Sequence, residues 1–312
     1  KAESNKKIEE IFLKSRLSMD ITLKVEAFLK KCKKPLAVRS SSLLEDSQYQ
    51  PLAGLYATYM LPNNSKSLKI RLSQLTEAIK RVFASTFFQD PKSVMDTSSS
   101  RQEEEKMAVL IQELVGKRQG SIFYPTFSGV SQSLNYYPVS YLKREQGVAF
   151  IAIGFGKTIV DGEKSLRFCP SHPNILPQFH SIKSIIENSQ NQFYALQMHS
   201  KDNLLSKGEK FNLKKFNLER AEKDGTLKHI GGVISSQDNI LRDSLRYNGK
   251  RVTTFKPILK WEEFPLNKVL NRILELGKEA MGCDVEIEFS VNLNDNDNKK
   301  SEYCLLQIRP ML

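Results

Sequence analysis

Hydrophobic positions fall into two periods along the chain. Leu68, Leu72, Leu75, Ile79 and Val82 recur at alternating steps of four and three, which predicts an amphipathic helix with one apolar stripe. Leu266, Val269, Leu270, Ile273 and Leu274 predict a second such helix over about 264–281. Residues 6–33 read as helix with mixed charge. Short apolar runs read instead as buried strands: Pro35–Val38, Leu55–Leu61, Met107–Ile111 and Val148–Ile153. A polar loop, Arg39-Ser40-Ser41-Ser42, follows the first of these and continues to Ala53-Gly54. Residues 170–262 are polar and show little periodicity, and no internal repeat is present. Strands and helices mix throughout, so the fold class is α/β or α+β. A lobe boundary is expected after Gln112-Glu113-Leu114-Val115, giving an N-terminal lobe over 1–115 and a C-terminal lobe over 116–312.

The most informative stretch lies near the end of the sequence. In Asp284–Val291 apolar and polar residues alternate, the period of a half-buried strand. Val285, Ile287, Phe289 and Val291 are expected on the core side, and Glu286, Glu288 and Ser290 on the other. Tyr303–Arg309 reads as the return strand, with Cys304, Leu306 and Ile308 on one face and Leu305, Gln307 and Arg309 on the other. Paired with their cores aligned, the strands would gather two carboxylates, an amide oxygen and a guanidinium. Hard oxygen ligands suit Mg²⁺, and a planar guanidinium suits phosphate oxygens. These are parts that phosphoryl transfer needs. The polar face of any solvated antiparallel hairpin has the same alternation, so the pattern by itself leaves both possibilities open. Arg39, leaving a buried strand for a serine-rich loop, offers a fixed cation beside backbone N–H groups, an arrangement that binds anions but is equally an ordinary surface loop. Asn294–Asn298 lacks the glycine and glutamate of a calcium loop and reads as a solvated turn.

Composition narrows the classes. Forty per cent of the 312 residues are hydrophobic, enough for a real core, and no apolar run reaches the length of a membrane helix. The amino terminus resembles neither a signal peptide nor a natural start, so the chain is expected to be a piece of a longer protein. The four cysteines (Cys32, Cys169, Cys283, Cys304) and four histidines are scattered without zinc spacing, which fits reduced thiols in a cytoplasmic protein. The net charge of +12, from 47 Lys and Arg against 35 Asp and Glu, is spread rather than blocked, so nucleic acid is not the expected partner. Gly154-Phe155-Gly156-Lys157-Thr158 fails the spacing of both the P-loop and the dinucleotide fingerprint.

Taken in order, several short segments resemble the nucleotide-binding domain of the phosphoenolpyruvate synthase and pyruvate phosphate dikinase family. They are Val38-Arg39-Ser40-Ser41 with Glu45-Asp46, Leu52-Ala53-Gly54, Met107–Val115, Phe127-Ser128-Gly129-Val130, Gly154–Lys157 with Gly162-Glu163, Glu286-Ile287-Glu288-Phe289, and Leu306-Gln307-Ile308-Arg309-Pro310. The resemblance implies a bilobal ATP-grasp fold that binds Mg–ATP and donates phosphate toward a phosphohistidine on a separate domain. It implies that Arg39 binds ATP phosphates, that Ala53 and Gly54 cover them, and that Gln112, Glu113, Leu114 and Val115 contact adenine. It further implies that Glu286, Glu288 and Gln307 hold Mg²⁺ and that Arg309 binds the transferred phosphate. Two departures stand out. Glu286 fills a position usually occupied by Asp, and no G-G-K segment occurs among the 38 residues before Arg39. The phosphohistidine and pyruvate-binding domains are expected elsewhere in a parent chain, which leaves a degenerate nucleotide-sensing or assembly module as the alternative to an enzyme domain.

Overall fold

The computed structural model describes residues 2–42, 56–89, 91, 106–198, 205, 208, 211–294 and 300–311. Ala53 and Gly54, Glu45 and Asp46, and most of the Asn294–Asn298 turn lie outside them. The structure is mixed α/β, in two units: Lys1–Leu114 with Leu196–Lys214, and Val115–Ala195 with Lys215–Leu312. The expected lobes are contiguous in sequence. The observed units are not, because residues 196–214 fold with the first.

The first unit begins with two helices, α1 (Ala2–Lys14) and α2 (Met19–Lys31), where a single one is expected. The break has a local cause: Ser18 caps α2 by accepting from the Ile21 N–H, and Ser15 turns its hydroxyl back to Phe12 O at 2.6 Å. Strand β1 (Leu36–Ser42) runs antiparallel between β2 (Tyr59–Leu61) and β3 (Met107–Glu113), and α3 (Leu68–Ser85) packs on this sheet. Leu29, Leu36, Val38, Leu75 and Val82 form the centre of its core, with Leu205 from the returning segment. Two expectations fail here. Arg39–Ser42 are not loop: they continue β1, opposite Leu110, Val109, Ala108 and Met107. The apolar strand β3 supplies a full set of backbone partners, and that pairing overrides the weak strand preference of serine. The second strand is shorter than Leu55–Leu61, since the Ala57 N–H is taken by Ser85 Oγ at 3.1 Å rather than by a ladder.

The second unit is built on a five-stranded antiparallel sheet. Its strands are β6 (Phe127–Gln132), β7 (Val148–Ile153), β8 (Leu166–Phe168), β14 (Val285–Asn292) and β15 (Glu302–Pro310), in the order β15-β14-β6-β7-β8. Around it lie β4 (Lys117–Gln119) and β5 (Ile122–Tyr124), sheet partners of β9 (Gln192–Gln197) and β10 (Leu213–Asn217). A small sheet combines β11 (Gly231–Ser235), β12 (Leu241–Arg242) and β13 (Gly249–Thr253). The helices are α4 (Lys157–Val160), α5 (Ile182–Asn188), α6 (Leu218–Lys223), α7 (Lys256–Leu259) and α8 (Leu266–Met281). Helix α8 buries Leu266, Leu270 and Leu274 and packs on β14, whose Val285, Ile287 and Phe289 are fully buried. Gly277 lets the helix come close. A Cβ there would sit 2.8 Å from Ile308 Cδ1 and 3.0 Å from Val285 Cγ2. That contact fixes which face of the sheet is core and leaves the other for Glu286 and Glu288.

Candidate functional site

Cross-strand register brings the hairpin groups together. Glu286 lies opposite Arg309 of β15 on one side and Gln132 of β6 on the other, and Glu288 lies opposite Gln307 and Val130. Directly opposed residues share a sheet face and stand close enough for their side chains to meet. Arg309 donates from Nε to Glu286 Oε1 at 2.7 Å, and its Nη2 lies 2.6 Å from the same oxygen and 3.3 Å from Glu288 Oε1. Gln132 Nε2 donates to Glu286 Oε2 at 2.6 Å. All three charged side chains are about one-fifth exposed (17% for Glu286, 23% for Glu288, 26% for Arg309), so the group is reachable from solvent yet partly shielded, where ion pairs are worth more than on open surface.

One face assignment is overturned. A β-bulge between Glu288 and Phe289 shifts the register so that Phe289 opposes Leu305 and Ser290 opposes Cys304. A single extra residue flips every later side chain to the other face. Cys304 therefore falls on the Glu286–Glu288 side, and Leu305 on the Phe289 side, the reverse of the alternation expected from sequence. Tyr303 stacks on Phe289 with ring centroids 5.2 Å apart, as the shifted register requires. Gln307 and Arg309 precede the bulge in space and keep the expected face. Ile308 shares the Ile287 face and meets α8, but it stays 36% exposed at the sheet edge.

The base of β14 is pinned separately. Ser133 Oγ donates to Asp284 Oδ1 at 2.7 Å, accepts from the Val285 N–H at 2.9 Å, and Lys278 Nζ lies 2.8 Å from Asp284. The Lys278 ammonium and the Ser133 hydroxyl hold the Asp284 carboxyl below the usual range. Toward the other end, Ser128 and Ser290 share a buried hydrogen bond of 2.8 Å across β6 and β14.

In the first unit, Arg39 is half-buried on β1. Ala37 opposes Gln112 and Arg39 opposes Leu110, so Arg39 and Gln112 lie on one face of the three-stranded sheet, away from the Val38 side that packs in the core. Glu113 does not join them. It opposes Leu36, and its carboxylate lies 3.0 Å from Lys34 Nζ. The Cys32 thiol and the Lys34 ammonium lower its pKa, while burial raises that of Cys32. The Leu114 N–H donates to Pro35 O at 2.8 Å, and Val115 opens the second unit. Lys157 of the Gly154–Thr158 segment pairs with Asp161 at 3.2 Å.

Gln132 is the member of the hairpin group that sequence reasoning missed. The signal was present: it follows Ser128 and Val130 at the strand period of two. Among the described residues no three His, Cys, Asp or Glu side chains gather as a metal cage. The donor set at the hairpin, two carboxylates and an amide oxygen, instead fits an ion such as Mg²⁺ that takes one or two carboxylates and completes its shell with water and phosphate oxygens.

No curated protein matches the chain. The family model for the AMP/ATP-binding domain of pyruvate phosphate dikinase matches residues 1–312, end to end, and its description agrees with a polar sheet face carrying acidic, amide and guanidinium groups. The chain belongs to the pyruvate phosphate dikinase AMP/ATP-binding domain family.

Proposed function

We propose that this chain binds Mg–ATP and passes a phosphoryl group toward a phosphohistidine carried by a separate domain of a parent protein. The observation that carries the proposal is the in-register grouping of Glu286, Glu288, Gln307 and Arg309 on one sheet face. The acidic pair and the Gln307 oxygen form its metal end, and Arg309 its phosphate end. A bound Mg²⁺ would supply charge neutralisation of the phosphates. Arg309 aligns phosphate oxygens through its planar fork and offsets charge as it builds on them. In the first unit Arg39 serves the phosphates and the Gln112–Val115 segment the base, with Gln112 sharing the Arg39 face and Glu113 turned to Lys34 and Cys32.

Calorimetric titration with Mg–ATP tests the proposal. Saturable heat at millimolar nucleotide or below is expected, and Glu288→Gln should weaken it about tenfold while leaving the melting curve unchanged. A folded wild-type protein that gives no heat would leave only the reading as a non-catalytic assembly module.

A further inference from the structure

The two carboxylates of the hairpin are not equivalent, and the difference follows from what stands beside each of them. Glu286 is flanked by a side-chain donor on either neighbouring strand, Arg309 on β15 and Gln132 on β6. Its Oε1 meets two guanidinium nitrogens at 2.7 and 2.6 Å, and its Oε2 meets the Gln132 amide at 2.6 Å. Glu288 sits one step along the same face. Its β6 neighbour is Val130, which has no side-chain donor, its β15 neighbour is Gln307, and Arg309 reaches it only at 3.3 Å.

We infer that Glu286 is the anchor that aims Arg309, with Gln132 as a positioning residue behind it, and that Glu288 and Gln307 are the groups that hold the divalent ion. This rests on the nucleotide reading above and divides its labour. A carboxylate that accepts three short bonds from a guanidinium and an amide has little left for a cation, and the guanidinium repels one. A glutamate reaches across to the arginine where a shorter aspartate would fall back toward its own strand. Gln132 closes the second oxygen, so the carboxylate cannot rotate away when Arg309 turns toward a phosphate. Outer partners of this kind fix the geometry of the groups they hold.

Two measurements on the whole chain separate this from the nucleotide reading. The first needs no ligand. The Nε–H of Arg309, assigned by its loss in Arg309→Lys, should give a downfield, slowly exchanging NMR signal because it is bonded to a carboxylate. That signal should collapse in Glu286→Gln, weaken in Gln132→Met, and persist in Glu288→Gln. The second follows free Mn²⁺ by electron paramagnetic resonance during titration in the presence of ATP. Glu288→Gln should lower Mn²⁺ affinity about tenfold or more, and Glu286→Gln and Gln132→Met by less than about threefold. Equal loss of Mn²⁺ in the two glutamate variants, or an Arg309 signal that survives Glu286→Gln, overturns the inference. A wild-type protein that shows the protected Arg309 signal but takes up no Mn²⁺ with ATP defeats the nucleotide reading and upholds Glu286 as the arginine's anchor.

Discussion

At the scale of single residues, close packing on the core side of the large sheet sets what its polar side can present. A Cβ at Gly129 would lie 2.3 Å from Phe289 Cζ and 2.8 Å from the Phe150 carbonyl oxygen, and Phe289 is fully buried. Gly129 opposes Phe289, one position from the Val130–Glu288 pair. Gly129→Ala should therefore cost at least about 2 kcal/mol in urea denaturation, as overpacked cores do. Adding Phe289→Leu should recover part of that loss, and simple additivity of the two changes would rule out the clash as the cause. Asp284 supports a pH prediction. Its carboxyl is held below the usual range by Lys278 and Ser133, so the folded state binds its proton less readily than the unfolded chain. The stabilisation is present above about pH 4 and is lost as pH falls through the depressed value. Asp284→Asn should lower stability by about 1 kcal/mol at pH 7, since both partners are partly exposed, with the gap to wild type closing in acid. A gap that stays constant down to pH 2 would show that the charge is not responsible.

At the scale of elements, what could be read from sequence follows the strength of the local pattern. The stripes of α3 and α8 and the alternation of β14 are long and regular, and each forms where it is expected. Arg39–Ser42 looked like loop because serine carries little strand signal, and its pairing with β3 is a long-range event. The bulge after Glu288 was invisible because nothing in Leu305-Leu306 marks which residue is the extra one. Gln307 and Arg309 were placed correctly because they lie on the unshifted side of it. The attachment of α1 depends on a residue that periodicity ignores. Arg81 interrupts the buried side of α3 and is only 4% exposed, with Glu9 of α1 at 2.5 Å and Glu77 at 2.9 Å. Removing one partner from such a group leaves uncompensated charge. Arg81→Met should cost about 2–4 kcal/mol in denaturation and raise amide exchange throughout α1. Glu9→Gln, whose site is more exposed, should cost less, and the opposite order would mean that Arg81 acts only as a packing stem.

At the scale of the whole molecule, the feature least visible in sequence is that the chain returns to its first unit through residues 196–214. That stretch lacks periodicity because it contributes isolated contacts rather than a face. Asn64 Nδ2 donates to Met198 O at 2.5 Å, Asn212 Nδ2 donates to Met60 O at 3.0 Å, and Leu205 is 2% exposed within the cluster around Leu29, Val38 and Leu75. One leucine from a distant segment thus completes a core otherwise made by residues 25–82 together with β3. Leu205→Ala removes that side chain from a site with little room to collapse, so it should destabilise the first unit by about 2–4 kcal/mol. The loss should be local. Hydrogen exchange read by mass spectrometry should quicken in β1, β3 and α3, while β6 and β14 of the second unit keep their protection. The single tryptophan, Trp261, lies in the second unit and gives an independent optical report on it. If Leu205→Ala accelerates exchange equally in β1 and β14, or shifts the Trp261 transition together with that of β1, the two units unfold as one cooperative body. Exchange confined to β1, β3 and α3 would instead mark the 196–214 return as a support for the Arg39 sheet alone, leaving the Glu286–Arg309 face to be held by α8 and the Asp284–Ser133–Lys278 brace.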